Sequence, residues 1–527
     1  MQAPRAGWAR LAWAAAVAVA GVLLFVAYLE QSIRGTYVNS DGASIALQAR
    51  DMLHGNVLLS GWALADVSFY TTDLPQYMLA EAVRGLRPEV VHIASALIYT
   101  ELVLLAGWLA KGRATGAEGV ARALTAGGIM LAPQLGDVSG ILMLSPDHVG
   151  TCVPLLVIWL VIDRADPGTP QAPLARLAPV IVGLLLTWTA VGDPLAEVIG
   201  ALPLAAVCGV RAVQGVALRR EPLRDNWYHV SLAAAAMVSV PAAWAVTRLI
   251  AVQGGWTQTA VRTGLVGSGV LRQNATLTGQ GLLQLFGAGF FGQPGHSPLI
   301  FAAVHLIGVA LVAWAFVLAI RRFFTAELLV QVLAAGIVVN LAAYLFFVQA
   351  QDITKTREIA AVLPYGAVLA GRLIGGRLRT VWLAPAMSVV LALYAEMLVF
   401  DAVQPPVPAP MANLASWLAE HDLNEGLAGY WQANSVTVDS RGTVQVRAVA
   451  VNSGRVTAQA YWEARKDWYD PATHYADFVV GVGRAARWQD QVLLRQMAAT
   501  AGRPVTVYQV GPYTIAVWHE NLLKQIQ

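Results

Sequence analysis

Charge is scarce in this chain. Asp, Glu, Lys and Arg make up 13% of its 527 residues, about half of the roughly 25% usual in soluble proteins. Hydrophobic residues reach 57% and mean hydropathy is +0.56, which excludes an ordinary soluble globule and implies a polytopic membrane protein. The formal net charge is only +3 and the basic residues are scattered, so no nucleic-acid surface is indicated. Cysteine is nearly absent. Cys152 and Cys208 both fall within apolar runs, where a free thiol behaves as a small hydrophobe and implies no disulfide. An internal repeat of the kind that marks many transporters is missing as well.

What is present is a series of apolar runs near 11–29, 89–110, 119–136, 148–163, 177–192, 194–212, 228–252, 299–320, 327–350, 358–375 and 380–400. They are long enough to predict about eleven transmembrane helices. The first run follows Arg5 and Arg10 but lacks a convincing cleavage site, so it reads as a retained span rather than a signal peptide. With a cytoplasmic N-terminus, every inside loop is basic, from Lys111, Arg113 and Arg122 to Arg372, Arg377 and Arg379, as the positive-inside rule requires. The opposite face then collects Asp41, Asp66, Asp73, Asp137, Asp147, Asp193, Asp352 and Glu358, with His148 and Arg357 beside them. Acids at helix ends can be plain solvated loop residues, but a cluster on one face points to chemistry there.

After the last span, 401–410 is the proline-rich stretch "DAVQPPVPAP", read as an extended linker and domain boundary. This divides the chain into a membrane domain at 1–400, a linker at 401–410 and an extracytoplasmic α/β domain at 411–527. In the last of these, "LASWLAEHDL" predicts an amphipathic helix. The stretch "SVTVDSRGTVQVRAVAV" predicts two strands around a Ser-Arg-Gly turn, and "PVTVYQVGPYTIAVW" a hairpin turning at Gly-Pro. The aromatic stretches "GYWQAN" and "YWEARKDWYDP" read as core or interface packing, with stacking on sugar rings as the other reading. In the first outer loop, "GASIALQARDMLHG" spaces Ile45, Ala49, Met52 and Leu53 as one apolar helical face, which predicts a helix lying along the bilayer surface. Asp41 stands at or near its N-cap, so capping alone is one explanation for it.

A first transmembrane helix, a long outer loop opening on Asn39, Ser40, Asp41 and Gly42, "VSFYTTDLPQY" further on, and "TKTREIAAVLPYG" before the tenth span together resemble the GT-C superfamily of membrane glycosyltransferases. The resemblance covers most of the membrane part. It implies a mainly α, GT-C-like fold, a polyprenyl-phosphate-linked sugar as donor, a hydroxylic glycan, lipid or protein acceptor outside the cytoplasm, and Asp41 as catalytic base. Two departures are visible: Asp41 has no acidic neighbour, and no Trp-Trp-Asp motif occurs in the outer domain. Both argue against a metal-dependent oligosaccharyltransferase.

A direct, inverting displacement needs one carboxylate to take the acceptor's proton and positive groups to steady the departing phosphate. Lys355 and Arg357, at headgroup depth just before a span, suit the phosphate, although interfacial snorkelling also places such residues there. Asp147 and His148 stand at the mouth of another span and can contact substrate, bind a cation or pair structurally; two ligands alone make a poor metal site. Asp193 lies in a tight interhelical turn, where capping is the plainer role. Asp73 belongs to the same acidic face. Arg262 sits in the Gly- and Gln-rich loop 254–298, read as a lid over the cavity, and Asn274-Ala-Thr in that loop matches a glycosylation acceptor pattern common by chance. No cofactor is called for, and a divalent cation is possible without being indicated. The competing reading is a flippase or transporter of lipid-linked sugar without transferase activity.

Overall fold

The computed structural model describes all residues except 1–2, 134–138, 166–171, 262, 291–295, 349, 381–382, 484–490 and 527. Asp137 and Arg262 therefore lie outside the described residues. The membrane part begins with α1 (Ala3–Gly35), α2 (Ser40–Leu53), β1 (Trp62–Leu64), α3 (Leu74–Arg84), α4 (Glu89–Lys111) and α5 (Gly116–Ile129). It continues through the one-turn α6 (Ser139–Leu142), α7 (His148–Arg164), α8 (Ala172–Gly192), α9 (Leu202–Val213) and α10 (Trp227–Val252). Then come β2 (Thr257–Gln258), α11 (Ser268–Leu285), α12 (His296–Arg321), α13 (Leu328–Phe346), α14 (Val362–Ala370) and α15 (Ala384–Ala402).

Each of the expected apolar segments contains helix, but among the described residues only eight helices are long and apolar enough to cross a membrane. A ninth is counted if 353–359 and 362–375, bent by 54°, form one span. The expected span at 119–136 is a 14-residue helix that stops at Ile129, ahead of Pro133, whose ring disfavours helix in the residue before it. The expected span at 148–163 is the 17-residue α7. Helix α4 is the hub, packed by α1, α3, α5, α7 and α14, and Val90, Val91, Ala94, Ala106 and Leu109 on it are fully buried. Leu184, Met237 and Trp244 on α8 and α10 instead face outward, an apolar surface suited to lipid rather than water.

Beyond α15 the backbone has no regular secondary structure from 405 to 409 and is tied to the end of α1, where the Val407 N–H donates to the Arg34 carbonyl at 2.9 Å. There follow α16 (Pro410–Glu420), β3 (Glu425–Ala428), α17 (Tyr430–Asp439), β4 (Gln445–Asn452), β5 (Arg455–Ala458), β6 (Ala464–Arg465), β7 (Phe478–Val482), α18 (Val492–Ala501), β8 (Thr506–Val510) and β9 (Tyr513–Val517). Six strands make one sheet in the order β5-β4-β3-β7-β9-β8. The amphipathic helix α16 and the β8–β9 hairpin turning at Gly511-Pro512 match the sequence reading.

The first of the two strands expected in "SVTVDSRGTVQVRAVAV" is helix α17 instead. Strands β3 and β4 pair in parallel, and parallel neighbours need a crossover, usually helical. That demand overrides the β-preference of the Val-Thr-Val run, and α17 packs between α2 and β4.

Helix α2 is also not where its amphipathicity put it. Rather than lying on the bilayer, it is enclosed by α3, α4 and α17, with Ala43, Ala46, Gln48 and Ala49 fully buried. Its polar face finds partners in the C-terminal half instead of water. A second, three-stranded sheet stitches the two halves together: β1 pairs in parallel with β2 and antiparallel with β6, placing Ala63 beside Thr257 and Ala464.

The start of α2 is the tightest of these contacts. A Cβ on Gly42 would lie 2.8 Å from Val91 of α4 and 2.9 Å from the Ser145 carbonyl oxygen. Because backbone cannot yield as a flexible side chain can, Gly42→Ala is expected to cost about 1–3 kcal/mol, as overpacking of a filled core does. Thermal unfolding in detergent checks this; an unchanged melting temperature would show that α2 is free to shift.

Candidate active site

Asn39 caps α2: its backbone is extended and its side-chain oxygen accepts the Gly42 N–H at 2.9 Å. The capping explanation for Asp41 is thereby displaced onto its neighbour. Asp41, in the first turn, turns its half-buried carboxyl into a cavity of about 620 Å³ and accepts a hydrogen bond from the Tyr430 hydroxyl. Burial raises its pKa above the ordinary carboxylate range; the Tyr430 hydroxyl and the charges of Arg357 and Lys355 oppose that rise, and Asp66 adds to it. Tyr430, pushed upward by burial and by the adjacent Asp41 charge, stays a hydrogen-bond donor.

One turn and two turns further along α2, Ser44 and Gln48 bind a second carboxyl, Glu463 of the C-terminal half. Glu463 also accepts the Ala65 N–H at 3.1 Å. Burial lifts its pKa to about 8, so at neutral pH it adds little negative charge to the cavity it lines. At the end of α2, Asp51 closes the row with Arg465 at 2.9 Å and the Trp62 ring N–H at 2.8 Å.

The cations enter from 353–359, the bent segment before α14. Asp352 caps it by accepting the Thr354 N–H at 2.8 Å. Lys355 and Arg357 both line the cavity. Arg357 faces Asp147, Glu358, Asp41 and Asp66, yet its Nε is buried without a hydrogen-bond partner among the described residues. Helix α11 braces this segment, since a Cβ on Gly281 would meet the Thr356 hydroxyl at 2.5 Å. The loop expected as a lid thus contains an 18-residue helix and strand β2. Asn274 within it is buried, donating to the Leu345 carbonyl at 2.9 Å, a position closed to glycosylation.

His148 opens α7 between two acids: Nδ1 lies 2.7 Å from Asp193 and Nε2 3.1 Å from Glu358. A carboxylate only accepts, so the ring meets both as a donor, in the form of imidazolium. This bridge ties α7, the 193 turn and the cation-bearing segment together. Asp193 is also an ordinary cap, accepting the Leu195 N–H at 2.8 Å. Asp147 caps α7 through the His148 N–H at 2.7 Å and lines the cavity.

The cavity gathers Asp41, Asp147, His148, Asp193, Lys355 and Arg357. Asp73 is a correction: it is fully buried behind the loop and does not line the cavity. It accepts from the Ser145 hydroxyl at 2.7 Å and from the Asp147 N–H at 3.3 Å, and burial raises its pKa to about 7. Its work is to hold the 145–148 turn, and a Cβ on Gly150 would run into the Asp73 carboxyl. Tyr430, Trp462, Glu463 and the His148 contact of Glu358 were not anticipated. The first three come from the aromatic stretches read as packing, whose approach to α2 depends on long-range folding. Among the described residues no group of three His, Cys, Asp or Glu is arranged to hold a metal ion.

The site thus joins helical spans around α4, a carboxyl in the first turn of the enclosed helix α2 and a C-terminal α/β unit packed against it. No family model and no curated protein matches the sequence. Among solved structures, ArnT from Cupriavidus metallidurans in the apo state matches with a TM-score of 0.55 at 13% identity, over 96% of this chain and 98% of that one. The archaeal oligosaccharyltransferase AglB from Archaeoglobus fulgidus, in complex with an inhibitory peptide and a dolichol-phosphate, matches with a TM-score of 0.51 at 12% identity, over 90% of this chain and 70% of that one. At such identities the likeness is one of fold.

Replacing His148 with Leu leaves Asp193 and Glu358 buried without their shared cation. The expected cost is about 3–5 kcal/mol, the range for breaking a buried pair on one side. A His148→Leu protein that melts with the wild type would refute the bridge.

Proposed function

We propose that this protein is an inverting glycosyltransferase that moves a sugar from a polyprenyl-phosphate donor to the hydroxyl of an extracytoplasmic acceptor. The observation that carries the proposal is a single cavity with two chemically opposite ends. At one end Asp41 lies within electrostatic reach of Arg357 and Lys355. The other wall is built from Val338, Ala342, Phe346 and Phe347 of and after α13, facing Val198 and Leu202. Phe346, Phe347, Val338 and Leu202 are also exposed on the outside of the bundle, so this wall opens toward the hydrocarbon of a bilayer. A molecule with an isoprenoid tail and a phosphate head matches both ends.

In the reaction, the Asp41 carboxylate takes the acceptor hydroxyl's proton while that oxygen attacks the anomeric carbon. The bond from the anomeric carbon to the phosphate oxygen breaks, and its electron pair leaves with the phosphate. Arg357, with its unpartnered Nε, and Lys355 meet the charge that grows there. Tyr430 holds the carboxyl in place, and Glu463, mostly protonated near neutral pH, spares the cavity a further anion.

The other end of the bundle supports an orientation. Gly42 meets α4 near its first turn, at Val91, whereas Arg113, Arg122, Arg211, Arg219 and Arg372 surround a separate cavity beyond its last. The 23 residues of α4 span about 34 Å at the helical rise, close to the hydrocarbon thickness of a membrane. Basic residues favour the cytoplasm, so the Asp41 cavity and the C-terminal unit face away from it.

Purified protein in detergent, given a polyprenyl-phosphate sugar and a mixture of carbohydrate acceptors, is expected to consume the donor. Asp41→Asn should lower turnover by about 10²–10⁴, the usual worth of a general base, while the melting profile stays intact. Movement of intact lipid across liposomes, indifferent to Asp41→Asn, would instead favour the flippase.

The pH profile tests Asp41 separately. Its raised pKa means that rate falls as pH drops through a value above the ordinary carboxylate range, because the protonated acid is no base. Tyr430→Phe removes a hydrogen bond that lowers this pKa, so the acid limb should move to higher pH. An acid limb that stays put or moves downward assigns it to another group.

A further inference from the structure

Beside the Asp41 cavity lies a second, outer pocket of about 390 Å³ lined by Ala63, Thr257, Gln258, Thr259, Tyr461 and Lys466, with Ala458 and Ala460 behind them. Its volume falls within the roughly 300–1,000 Å³ of small-molecule sites. Three chain segments run from this pocket directly into the inner cavity. Ala63 leads to Ala65 and Asp66, Thr259 to Val261 and Thr263, and Tyr461 to Trp462 and Glu463; the first residue of each lines the outer pocket and the others line the inner cavity. The β2-β1-β6 sheet is the partition, and it is anchored across by the Gln258 side chain on the Asp66 carbonyl. Two to three residues of extended chain cover about 7–10 Å, the reach of a short oligosaccharide.

The lining is unlike the inner wall. Two threonines, a glutamine and an exposed lysine offer both donors and acceptors, and they surround one aromatic ring. Tyr461 is 57% exposed, although a tyrosine ring at an interface of two halves ordinarily buries its apolar face. Among the described residues its lining includes no Val, Leu, Ile, Met or Phe, unlike the inner wall of Val338, Phe346 and Leu202, which argues against a second lipid. Hydroxyl-rich rings with one apolar face fit a site that pairs hydrogen-bonding side chains with a flat aromatic surface.

We infer that the outer pocket is an acceptor subsite for a saccharide, with Tyr461 stacking on a sugar ring one or two units away from the hydroxyl presented to Asp41. The acceptor is then a glycan or glycoconjugate rather than an unglycosylated peptide. This rests on the transferase reading for the word acceptor, while the binding itself can be measured without donor.

The test is an array of defined glycans probed with fluorescently labelled full-length protein in detergent. Wild type is expected to bind a subset of the glycans. Tyr461→Ala should lose about tenfold or more in affinity, as truncation of an aromatic anchor does, while Tyr461→Phe, which keeps the ring, retains binding. An exposed residue of this kind is replaceable without unfolding, and matching melting temperatures of the three proteins verify that. Wild type that binds no glycan, binds only arrayed peptides, or binds equally well as Tyr461→Ala overturns the subsite. Donor consumption by a protein that ignores the array overturns the subsite alone. Tyr461-dependent glycan binding by a protein that never consumes donor upholds the pocket as a saccharide site and overturns the transferase.

Discussion

One short-range arrangement governs the site: Asn39 takes the cap of α2, and Gly42 lets the first turn press against α4 and the Ser145 carbonyl. A carboxylate at a helix start is normally absorbed by free backbone N–H groups. With that role filled by the residue two positions earlier, Asp41 has a single hydrogen-bond donor among the described residues, Tyr430, and an open side toward the cavity. The close approach at Gly42 then sets α2 beside the 145–148 turn, whose position Asp73 fixes from behind. A bulkier residue at either place would move the carboxyl and the turn together.

The C-terminal half is part of the same construction. Along one face of α2, Asp41 meets Tyr430, Ser44 and Gln48 meet Glu463, and Asp51 meets Arg465. A buried hydrogen bond contributes about 0.5–1.5 kcal/mol, more where one partner is charged, and losing one partner inside is costlier than the bond itself is favourable. The helix is therefore a shared element, with its apolar side held by α3 and α4 and its polar side by the C-terminal unit. On the opposite side of the cavity, the His148 bridge to Asp193 and Glu358 fixes the segment that carries Lys355 and Arg357. Asp41 and the cations are thus held on opposite sides of the cavity by two frameworks joined at the 145–148 turn.

Much of this was legible beforehand. The apolar runs place the helices because a bilayer leaves few alternatives, and Lys355 and Arg357 stand out because the positive-inside bias disfavours basic residues on that face. The hairpin at Gly511-Pro512 follows from turn chemistry. What local pattern misses is anything set by distant partners. Helix α17 carries a β-favouring run because a parallel strand pair requires a crossover; α2 leaves the bilayer surface because Glu463 accepts from the Gln48 amide; α11 is helical despite three glycines because it packs on α13 and the 353–359 turn. Asp73 looks like any other acid of its face, and only its burial reveals that it is a brace.

The most direct measurement is an electron cryomicroscopy map of the full chain with a polyprenyl phosphate added. The expected result is phosphate density against Arg357 and Lys355, tail density along the outward wall of α13, and free space between that phosphate and the Asp41 carboxyl. Phosphate density among Arg113, Arg211 and Arg372 at the other end of α4, with the Asp41 cavity empty, would contradict it.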